Sequence, residues 1–302
     1  MPPLPQDCSL GGARGKNFAA ISCSFQMRRK GRSLLVREVI KLAVATAVLA
    51  MPLSPAAACE GLVDGPKGVV VSVTDGDTVV LDNGLVVRLI GMQAPKLALG
   101  REDFEDWPRA GEAKAALEKL VLDREVRVRH GGERIDRHGR TLGQLFVTGE
   151  AETWVQQQMI AAGWARVYSF PDNRACVTQL LAVETQARLD KLGIWADPYY
   201  LVRRADRPDD FAGRQGYYEL VEGRVLLAEK VQGRVYLNFG RSWKDDYTAV
   251  LDKAALGLFS KSGLDPQKLE GALVRIRGWV DEDDGPRVEI THPEQIEVLR
   301  AP

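Results

Sequence analysis

Three closely spaced β-strand patterns in residues 69–96 constrain the fold of this chain more than any other feature. The β-branched run Val69–Val73 is followed by an Asp-Gly turn, the apolar run Thr78–Leu81 and the turn Asp82–Gly84. An Asn-Gly pair between apolar alternations is a strong hairpin signal. We therefore predict an antiparallel meander whose third strand runs over Leu85–Gly91.

Charged side chains interrupt this meander. Asp75 and Asp77 lie at the mouth of the first hairpin, and Arg88 interrupts the otherwise apolar third strand. A buried or half-buried arginine in a small sheet needs an anionic partner, because an unpaired charge is costly to remove from water. The meander therefore contains a candidate site made of two carboxylates and one guanidinium group.

Composition indicates a soluble globular protein with room for two domains after a leader. The 302 residues are 45% hydrophobic and 27% charged, with a formal net charge of zero. The charge is uneven, because residues 1–58 contain 8 Lys and Arg against 2 Asp and Glu, which leaves 33 basic and 39 acidic residues in 59–302. Any binding of nucleic acid must therefore come from a local patch.

The first 58 residues have the pattern of an export leader. A basic region opens at Met27, an apolar core follows at Leu42–Met51, and the small residues Ala56–Ala58 form a signal-peptidase site. The apolar core is short for a membrane span. We therefore predict cleavage after Ala58 and a periplasmic or secreted protein, with membrane contact only through an uncleaved leader. Arg28 and Arg29 leave the choice between Sec and twin-arginine export open.

Two of the four cysteines lie in the mature chain. Cys8 and Cys23 fall in the leader, whereas Cys59 and Cys176 follow it. An even number of cysteines in an exported protein indicates a disulfide, and two unrelated thiols are the alternative. We predict that Cys59 and Cys176 are bonded.

Residues 59–200 have the element order of an α+β domain built on a five-stranded β-barrel. The meander precedes the elements Ala110–Leu122 (helix), Glu125–His130 and Thr141–Val147 (strands), and Glu150–Gly163 and Arg174–Leu192 (helices). A barrel-like sheet followed by helices is typical of OB-type folds. Residues 201–216 mix Pro, Asp, Arg and Gly with little periodicity and are predicted to be a linker.

Residues 217–302 begin a second set of short strands, which predicts a second, small OB-like β domain. The predicted elements are strands at 219–230 (with a bulge at Gly223), 234–239, 247–251, 272–280 and 286–290, and a helix at Lys253–Phe259. The aromatic residues of this region predict either a stacking platform for single-stranded nucleic acid or ordinary core packing: Tyr236, Phe239, Trp243 and Trp279. The region is acidic, with 14 basic and 18 acidic residues over 205–302, which leaves a protein partner for the C-terminal domain open.

Five short motifs occur in a fixed order in the first domain. They are DGDT at 75–78, RLIG at 88–91, AP at 94–95, DRHGR at 136–140 and KLGIW at 191–195. In order, spacing and strand placement, residues 69–200 resemble the thermonuclease (staphylococcal-nuclease-like) family. That family hydrolyses phosphodiester bonds in DNA and RNA with one Ca²⁺ ion. The resemblance therefore implies a nucleic-acid ligand and a calcium site.

The resemblance also implies a role for each charged residue. Asp77 matches a metal-ligating carboxylate with Asp75 beside it, and Arg88 and Arg140 match the two guanidinium groups that clamp the scissile phosphate. A hard cation prefers carboxylate oxygens, and a phosphate that gains charge is stabilised by paired cations. Taken singly, each arginine also has a structural explanation, since Arg88 can pair with either aspartate and Arg140 can simply end a turn.

Two positions depart from the pattern of the family. Gln93 stands where a second metal-ligating carboxylate is expected, and Lys96 stands where the general-base glutamate is expected. A neutral amide removes one charge from the metal site, and an ammonium group repels the metal and does not accept a proton. We therefore predict a protein that binds nucleic acid or another phosphorylated ligand, with hydrolysis weak or lost. The alternative is an active Ca²⁺-dependent phosphodiesterase that cleaves DNA or RNA.

Overall fold

The structure is a computed structural model of the chain. It describes residues 59, 61–242, 245–282 and 285–302. The predicted leader (residues 1–58) and Trp243 lie outside the described residues. The export leader and a stacking role for Trp243 therefore stay predictions. Over the described ranges, no helix is both long and apolar enough to cross a membrane.

The first β domain contains the predicted five-stranded barrel. Its elements are β1 (Val63–Asp75), β2 (Thr78–Leu81), β3 (Val86–Leu89), β4 (Gly91–Gln93), α1 (Ala110–Val121), β5 (Glu125–His130), β6 (Thr141–Val147), β7 (Thr153–Trp154), α2 (Val155–Ala161), β8 (Arg166–Tyr168) and α3 (Val177–Leu189). The strand order is β3-β2-β1-β5-β6-β7, and a parallel pairing of β3 with β6 closes the barrel. The core is apolar, because residues such as Val70, Leu89, Val126, Leu145 and Met159 are fully buried.

The third strand of the meander is shorter than predicted. It ends at Leu89, and Gly91 begins the separate strand β4, which pairs with β8 instead of β2. Gly91 has a φ of +82°, and a Cβ there would lie 2.8 Å from Leu180 Cδ1. Only glycine accepts this turn and this close approach, so the chain changes direction at Gly91. The change of direction carries Gln93 to its position opposite β8.

Two helices are also shorter than predicted. Residues 153–154 do not begin a helix, because Trp154 pairs with Phe146 across β6 and β7 and its ring stacks on that of Phe146. Helix α2 therefore starts at Val155. Helix α3 starts at Val177, because Cys176 before it has a left-handed backbone conformation with a φ of +70°.

The predicted disulfide is present. Cys59 and Cys176 are bonded, with their Cα atoms 5.2 Å apart and a sequence separation of 117. The bond joins the segment that precedes β1 to the start of α3.

The second β domain follows as a curled sheet. Its elements are β9 (Arg203–Arg204), β10 (Tyr218–Arg224), β11 (Leu227–Val231), β12 (Arg234–Asn238), β13 (Thr248–Leu251), α4 (Lys253–Ser262), β14 (Leu273–Glu282), β15 (Pro286–Ile290) and β16 (Ile296–Arg300). The strand order is β11-β12-β13-β15-β14-β10-β9, and β16 pairs with β14. Ala205 and Phe211, from the predicted linker, are buried in the core of this domain.

The single strand predicted at 219–230 is in fact two strands. The amide of Val225 donates to the carbonyl of Ala272 and the amide of Leu226 donates to that of Asn238, so the chain leaves β14 and joins β12 at this point. The predicted bulge at Gly223 is absent, since the register of β10 on β14 is continuous there. Gly223 instead permits close packing, because a Cβ would lie 2.5 Å from Ala205 Cβ.

Among the described residues, two of the four aromatic residues predicted for a platform, Phe239 and Trp279, lie in different surroundings. Phe239 is buried in the core, whereas Trp279 is 42% exposed. Trp279 Nε1 donates to the hydroxyl of Tyr168 in the first domain at 3.1 Å. Core packing therefore accounts for Phe239, and contact with the first domain accounts for Trp279.

A buried group of charges joins helix α3 to the second domain. The side chains of Arg277 on β14 and Glu184 on α3 are both fully buried and make two hydrogen bonds of 2.9 and 3.2 Å. Arg277 also contacts Glu297 Oε1 at 2.5 Å, and Arg188 NH1 contacts Glu184 Oε2 at 3.1 Å. We call Glu184, Arg188, Arg277 and Glu297 the interface cluster.

Candidate functional site

The β1–β2 hairpin places Asp75 and Asp77 side by side. Asp75 ends β1 and pairs with Thr78, so Gly76 and Asp77 form the turn. A Cβ at Gly76 would lie 2.5 Å from Ala94 Cβ, so only glycine allows the turn to pack against the segment that follows β4. The amide of Asp77 donates to Asp75 Oδ1 at 3.2 Å, which holds the two aspartates together.

The ammonium group of Lys96 lies between these two carboxylates. Its Nζ is 2.6 and 2.7 Å from the two carboxylate oxygens of Asp77 and 3.2 Å from Asp75 Oδ2. The side chain of Asp77 is fully buried, whereas that of Lys96 is 22% exposed. The residue at the predicted base position is therefore an ion-pair partner of the predicted metal ligand.

Further donors approach both carboxylate oxygens of Asp77. Oδ2 is 3.2 Å from Arg88 NH1 and accepts the amide of Ala94 at 3.0 Å. Oδ1 accepts the hydroxyl of Thr78 at 3.3 Å. Because Lys96 contacts both oxygens as well, each of them already has at least two partners.

Burial and charge shift the pKa values of the two aspartates in opposite directions. Burial opposes ionisation of Asp77, but the charges of Arg88 and Lys96 outweigh it and hold the pKa of Asp77 well below its ordinary value. Burial, together with the charge of Asp77, raises the pKa of Asp75, and Lys96 offsets part of this rise. Asp77 is thus the anion that the two cations stabilise most.

The side chain of Gln93 is bound by Arg166. Its side-chain oxygen accepts hydrogen bonds from Arg166 Nε at 3.1 Å and from NH2 at 2.9 Å. The two residues lie opposite each other in the pairing of β4 with β8. Arg166 is buried, and its guanidinium carbon lies 4.9–5.8 Å from the ring centroids of Trp107, Tyr200 and Tyr218. The oxygen that was a candidate metal ligand is therefore an acceptor for Arg166.

Arg88 connects the hairpin to a neighbouring cleft. Besides Asp77, its guanidinium group donates to the carbonyls of Leu89 at 2.6 Å and Met92 at 3.1 Å. Arg88 is 9% exposed and lines the cleft. Arg88 therefore pairs with Asp77, as the structural explanation requires, and also lines the cleft, as the predicted phosphate clamp requires.

Arg140 ends the turn between β5 and β6, and it is held by Asp136. Both Nε and NH2 of Arg140 lie 2.7 Å from Asp136 Oδ2. Asp136 Oδ1 also accepts the amides of His138 and Arg140. The turn is therefore ordered by one carboxylate, and the Arg140 side chain remains 34% exposed.

Arg88 and Arg140 line the same cleft, which has a volume of about 550 Å³. The parallel pairing of β3 with β6 puts Arg88 opposite Leu142, two residues after Arg140. Tyr168 and Phe170 line the cleft as well, and Phe170 is 41% exposed. The structure thus brings the two predicted clamp residues together, with an aromatic ring at the rim.

The oxygen donors at the hairpin do not fit the calcium ion that the resemblance implies. Ca²⁺ takes about six to eight oxygen ligands, whereas the Asp77 oxygens are bound by Lys96 and Arg88, and the Gln93 oxygen is bound by Arg166. In the part of the chain that the structure describes, no group of three or more His, Cys, Asp and Glu side chains is placed to hold a metal ion.

Arg166 was not predicted from the sequence. The signal that singled out Arg88 applies to it equally, since Arg166 is a lone charge in the apolar segment 164–168 and a buried guanidinium needs acceptors. The aromatic pair Tyr168 and Phe170 in the cleft was not predicted either. Phe170 is exposed just after β8 ends at Tyr168, and periodicity does not reveal where this strand ends.

Comparison with known proteins agrees with this fold. The model of the family described as staphylococcal nuclease homologue matches residues 86–197, which include Arg88, Gln93, Lys96 and Arg140. Protein ParB of Escherichia coli is 34% identical over 142 residues, which cover 44% of this chain and 74% of the relative. The micrococcal nuclease of Shigella flexneri is 32% identical over 141 residues, covering 44% and 75%. Endonuclease YncB of Bacillus subtilis is 30% identical over 135 residues, covering 43% and 62%. The chain belongs to the staphylococcal nuclease homologue family.

Proposed function

We propose that this protein binds nucleic acid through a backbone phosphate in the Arg88–Arg140 cleft, and that its hydrolytic activity is weak or lost. The observation that carries this proposal is the position of Lys96, whose ammonium group lies on Asp77 and Asp75. An ammonium group has three donors and no lone pair, so it does not take a proton from water.

Two features of the cleft support a nucleic-acid ligand. Arg88 and Arg140 both line this cleft, and arginine is well suited to bind phosphate oxygens in pairs. Phe170 lines the same cleft and is 41% exposed. Bases of a single strand stack on such rings without sequence preference. A phosphate at the arginines with a base on Phe170 is the arrangement that these groups favour.

The alternative function is a Ca²⁺-dependent endonuclease. It is favoured by the retention of Asp75, Asp77, Arg88 and Arg140, and by relatives that are named micrococcal nuclease and endonuclease. It requires a cation other than Lys96 at Asp77 and a proton acceptor other than residue 96. The contacts of Lys96 and Gln93 weigh against both requirements.

We also propose that the protein is exported to the periplasm or secreted. The leader pattern of residues 1–58 and the disulfide between Cys59 and Cys176 support this location, since disulfides persist in oxidising compartments. N-terminal sequencing of the protein from an envelope fraction tests the proposal. A mature chain that starts at Cys59 would support it, and one that starts upstream of Leu42 would contradict it.

The functional proposal is tested with denatured DNA and with a labelled single-stranded oligonucleotide. We expect binding of the oligonucleotide, and no shortening of the DNA in Ca²⁺ beyond that in a chelator. Arg140→Ala should weaken binding at least about tenfold, because a charged hydrogen bond to phosphate is lost. The matched control is Arg124→Ala, which removes an exposed arginine of the same domain away from the cleft. Chelator-sensitive cleavage by the parent protein would favour the endonuclease instead.

A further inference from the structure

The charges at the hairpin are balanced without a metal ion. We call Asp75, Asp77, Arg88 and Lys96 the hairpin cluster. Two carboxylates in it face two cationic groups, with Lys96 contacting both aspartates and Arg88 contacting Asp77 at 3.2 Å. A divalent cation added to this cluster would meet two positive charges at short range, where the low dielectric of the interior strengthens repulsion.

The position of Lys96 is fixed by its backbone as well as by its charge. The carbonyl of Lys96 accepts the amide of Trp107 at 2.8 Å, and the amide of Ala94, two residues earlier, donates to Asp77 Oδ2 at 3.0 Å. The three donors of the ammonium group match the three carboxylate oxygens within 3.2 Å of Nζ. Lys96 is therefore built into the cluster and is not a surface lysine that has folded over it.

We propose that the Lys96 ammonium group takes the position of a divalent metal, so that the cleft binds its phosphate ligand without calcium. The part that concerns the ligand rests on the proposed function, whereas the part that concerns the metal does not. Without Lys96, the cluster would carry one net negative charge beside the cleft and would repel a phosphate. With Lys96, the cluster has no net charge and does not repel a phosphate that enters the cleft.

The metal part is tested by thermal unfolding of the protein in Ca²⁺ and in a chelator. The variants are Lys96→Ala, which removes the ammonium group, and Lys119→Ala, which removes an exposed lysine on α1 as a matched control. We expect the parent and the control to have the same Tm in both buffers. Lys96→Ala should unfold at a lower Tm in chelator and gain about 5 °C in Ca²⁺, because the ion then binds the freed carboxylates.

Either of two results would overturn the metal part. One is a Tm of the parent that rises in Ca²⁺ as much as that of Lys96→Ala, because the ion would then bind beside the lysine. The other is a Lys96→Ala variant that does not respond to Ca²⁺, because the lysine would then not stand in a cation site. If Lys96→Ala does not fold, isothermal titration of the parent with CaCl₂ decides the question. No heat of binding supports the inference, and saturable binding overturns it.

The ligand part is tested with a fluorescein-labelled oligothymidylate and the parent protein. We expect Kd values in Ca²⁺ and in chelator to agree within about twofold. A metal-dependent clamp would instead lose at least about tenfold in affinity for the oligonucleotide when the chelator is added. Affinity that falls in chelator would overturn the inference while leaving nucleic-acid binding intact. Absence of binding in both buffers would contradict the proposed function and the ligand part together, and the thermal measurement would still decide the metal part.

Discussion

The interface cluster and the hairpin cluster use the same chemistry in different surroundings. In the interface cluster, the side chains of Arg277 and Glu184 have no exposed surface, and every charge is paired inside the protein. In the hairpin cluster, Asp77 is equally buried, but the side chain of Lys96 is 22% exposed and Arg88 lines an open cleft. Because the side chains of Arg277 and Glu184 are closed off from solvent, the interface cluster has a structural role only. The hairpin cluster can also interact with a ligand.

Removal of Arg277 should therefore have the largest effect on stability. Arg277→Leu leaves Glu184 buried and without its main partner, which should lower the free energy of unfolding by about 3–5 kcal/mol. Denaturant titration measures this loss. The control is Arg204→Leu, which breaks an exposed pair with Asp206 and should change stability by no more than about 0.5 kcal/mol. Similar losses in the two variants would refute the structural role of the interface cluster.

The interface should also make stability depend on pH through His292. This ring bonds to Ser169 Oγ of the first domain at 2.7 Å. Burial lowers the pKa of His292 to about 4, with Glu294 opposing this shift and Arg174 and Arg277 adding to it. The unfolded imidazole binds a proton below about pH 6.5 and the folded one only near pH 4, so the unfolded state binds more protons between these values.

The contribution of His292 should be fully present above pH 6.5 and should be lost as the pH falls toward 4, with a total of about 3 kcal/mol. Unfolding free energies measured across this range in the parent and in His292→Gln test the expectation. The variant should show a shallower dependence on pH than the parent. Equal slopes would mean that His292 is not buried in its neutral form.

Lys96→Met should cost less stability than Arg277→Leu. Asp77 would keep Arg88, the amide of Ala94 and the hydroxyl of Thr78 as partners, so we expect a loss of about 1–2 kcal/mol in chelator. Denaturant titration of both variants side by side gives the comparison. A loss as large as that of Arg277→Leu would show that the hairpin cluster is as structural as the interface cluster.

Arg140→Ala should have the smallest effect on stability. Its ion pair with Asp136 is partly exposed, and such pairs contribute about 0.5 kcal/mol or less. The same variant should lose oligonucleotide affinity. Its affinity should therefore change much more than its free energy of unfolding. A loss of stability above about 2 kcal/mol would indicate that Arg140 mainly orders the turn after β5.

Local patterns predicted the barrel well, whereas, the disulfide apart, contacts distant in sequence were not predicted. The bounds of β2, β5 and β6 follow from alternation and turn residues, and Cys59 and Cys176 follow from the count of cysteines. The division of β3 from β4 depends on a positive φ at Gly91 and on contact with Leu180, which no local pattern shows.

The residues of the candidate site were predictable from the sequence, but the contacts between their side chains were not. The motifs placed Asp77, Arg88 and Arg140 within one region, because Asp77 and Arg140 immediately precede β2 and β6, the two strands that pair with the β3 strand of Arg88. The partner of Gln93 is Arg166, 73 residues later, and it depends on the pairing of β4 with β8. The orientation of Lys96 toward Asp77 similarly depends on how the segment after β4 packs against Gly76.

The most direct test of the account is the rate of cleavage of denatured DNA in Ca²⁺ by the parent and by the double variant Gln93→Asp/Lys96→Glu. The double variant exchanges a cation for a base at position 96 and restores a carboxylate at 93. Because Arg166 holds residue 93, most of the gain should come from Lys96→Glu. We expect cleavage at least about a hundredfold faster than in the parent, a gain that Arg88→Ala or Arg140→Ala should abolish. Efficient cleavage by the parent, with the double variant no faster, would contradict the account.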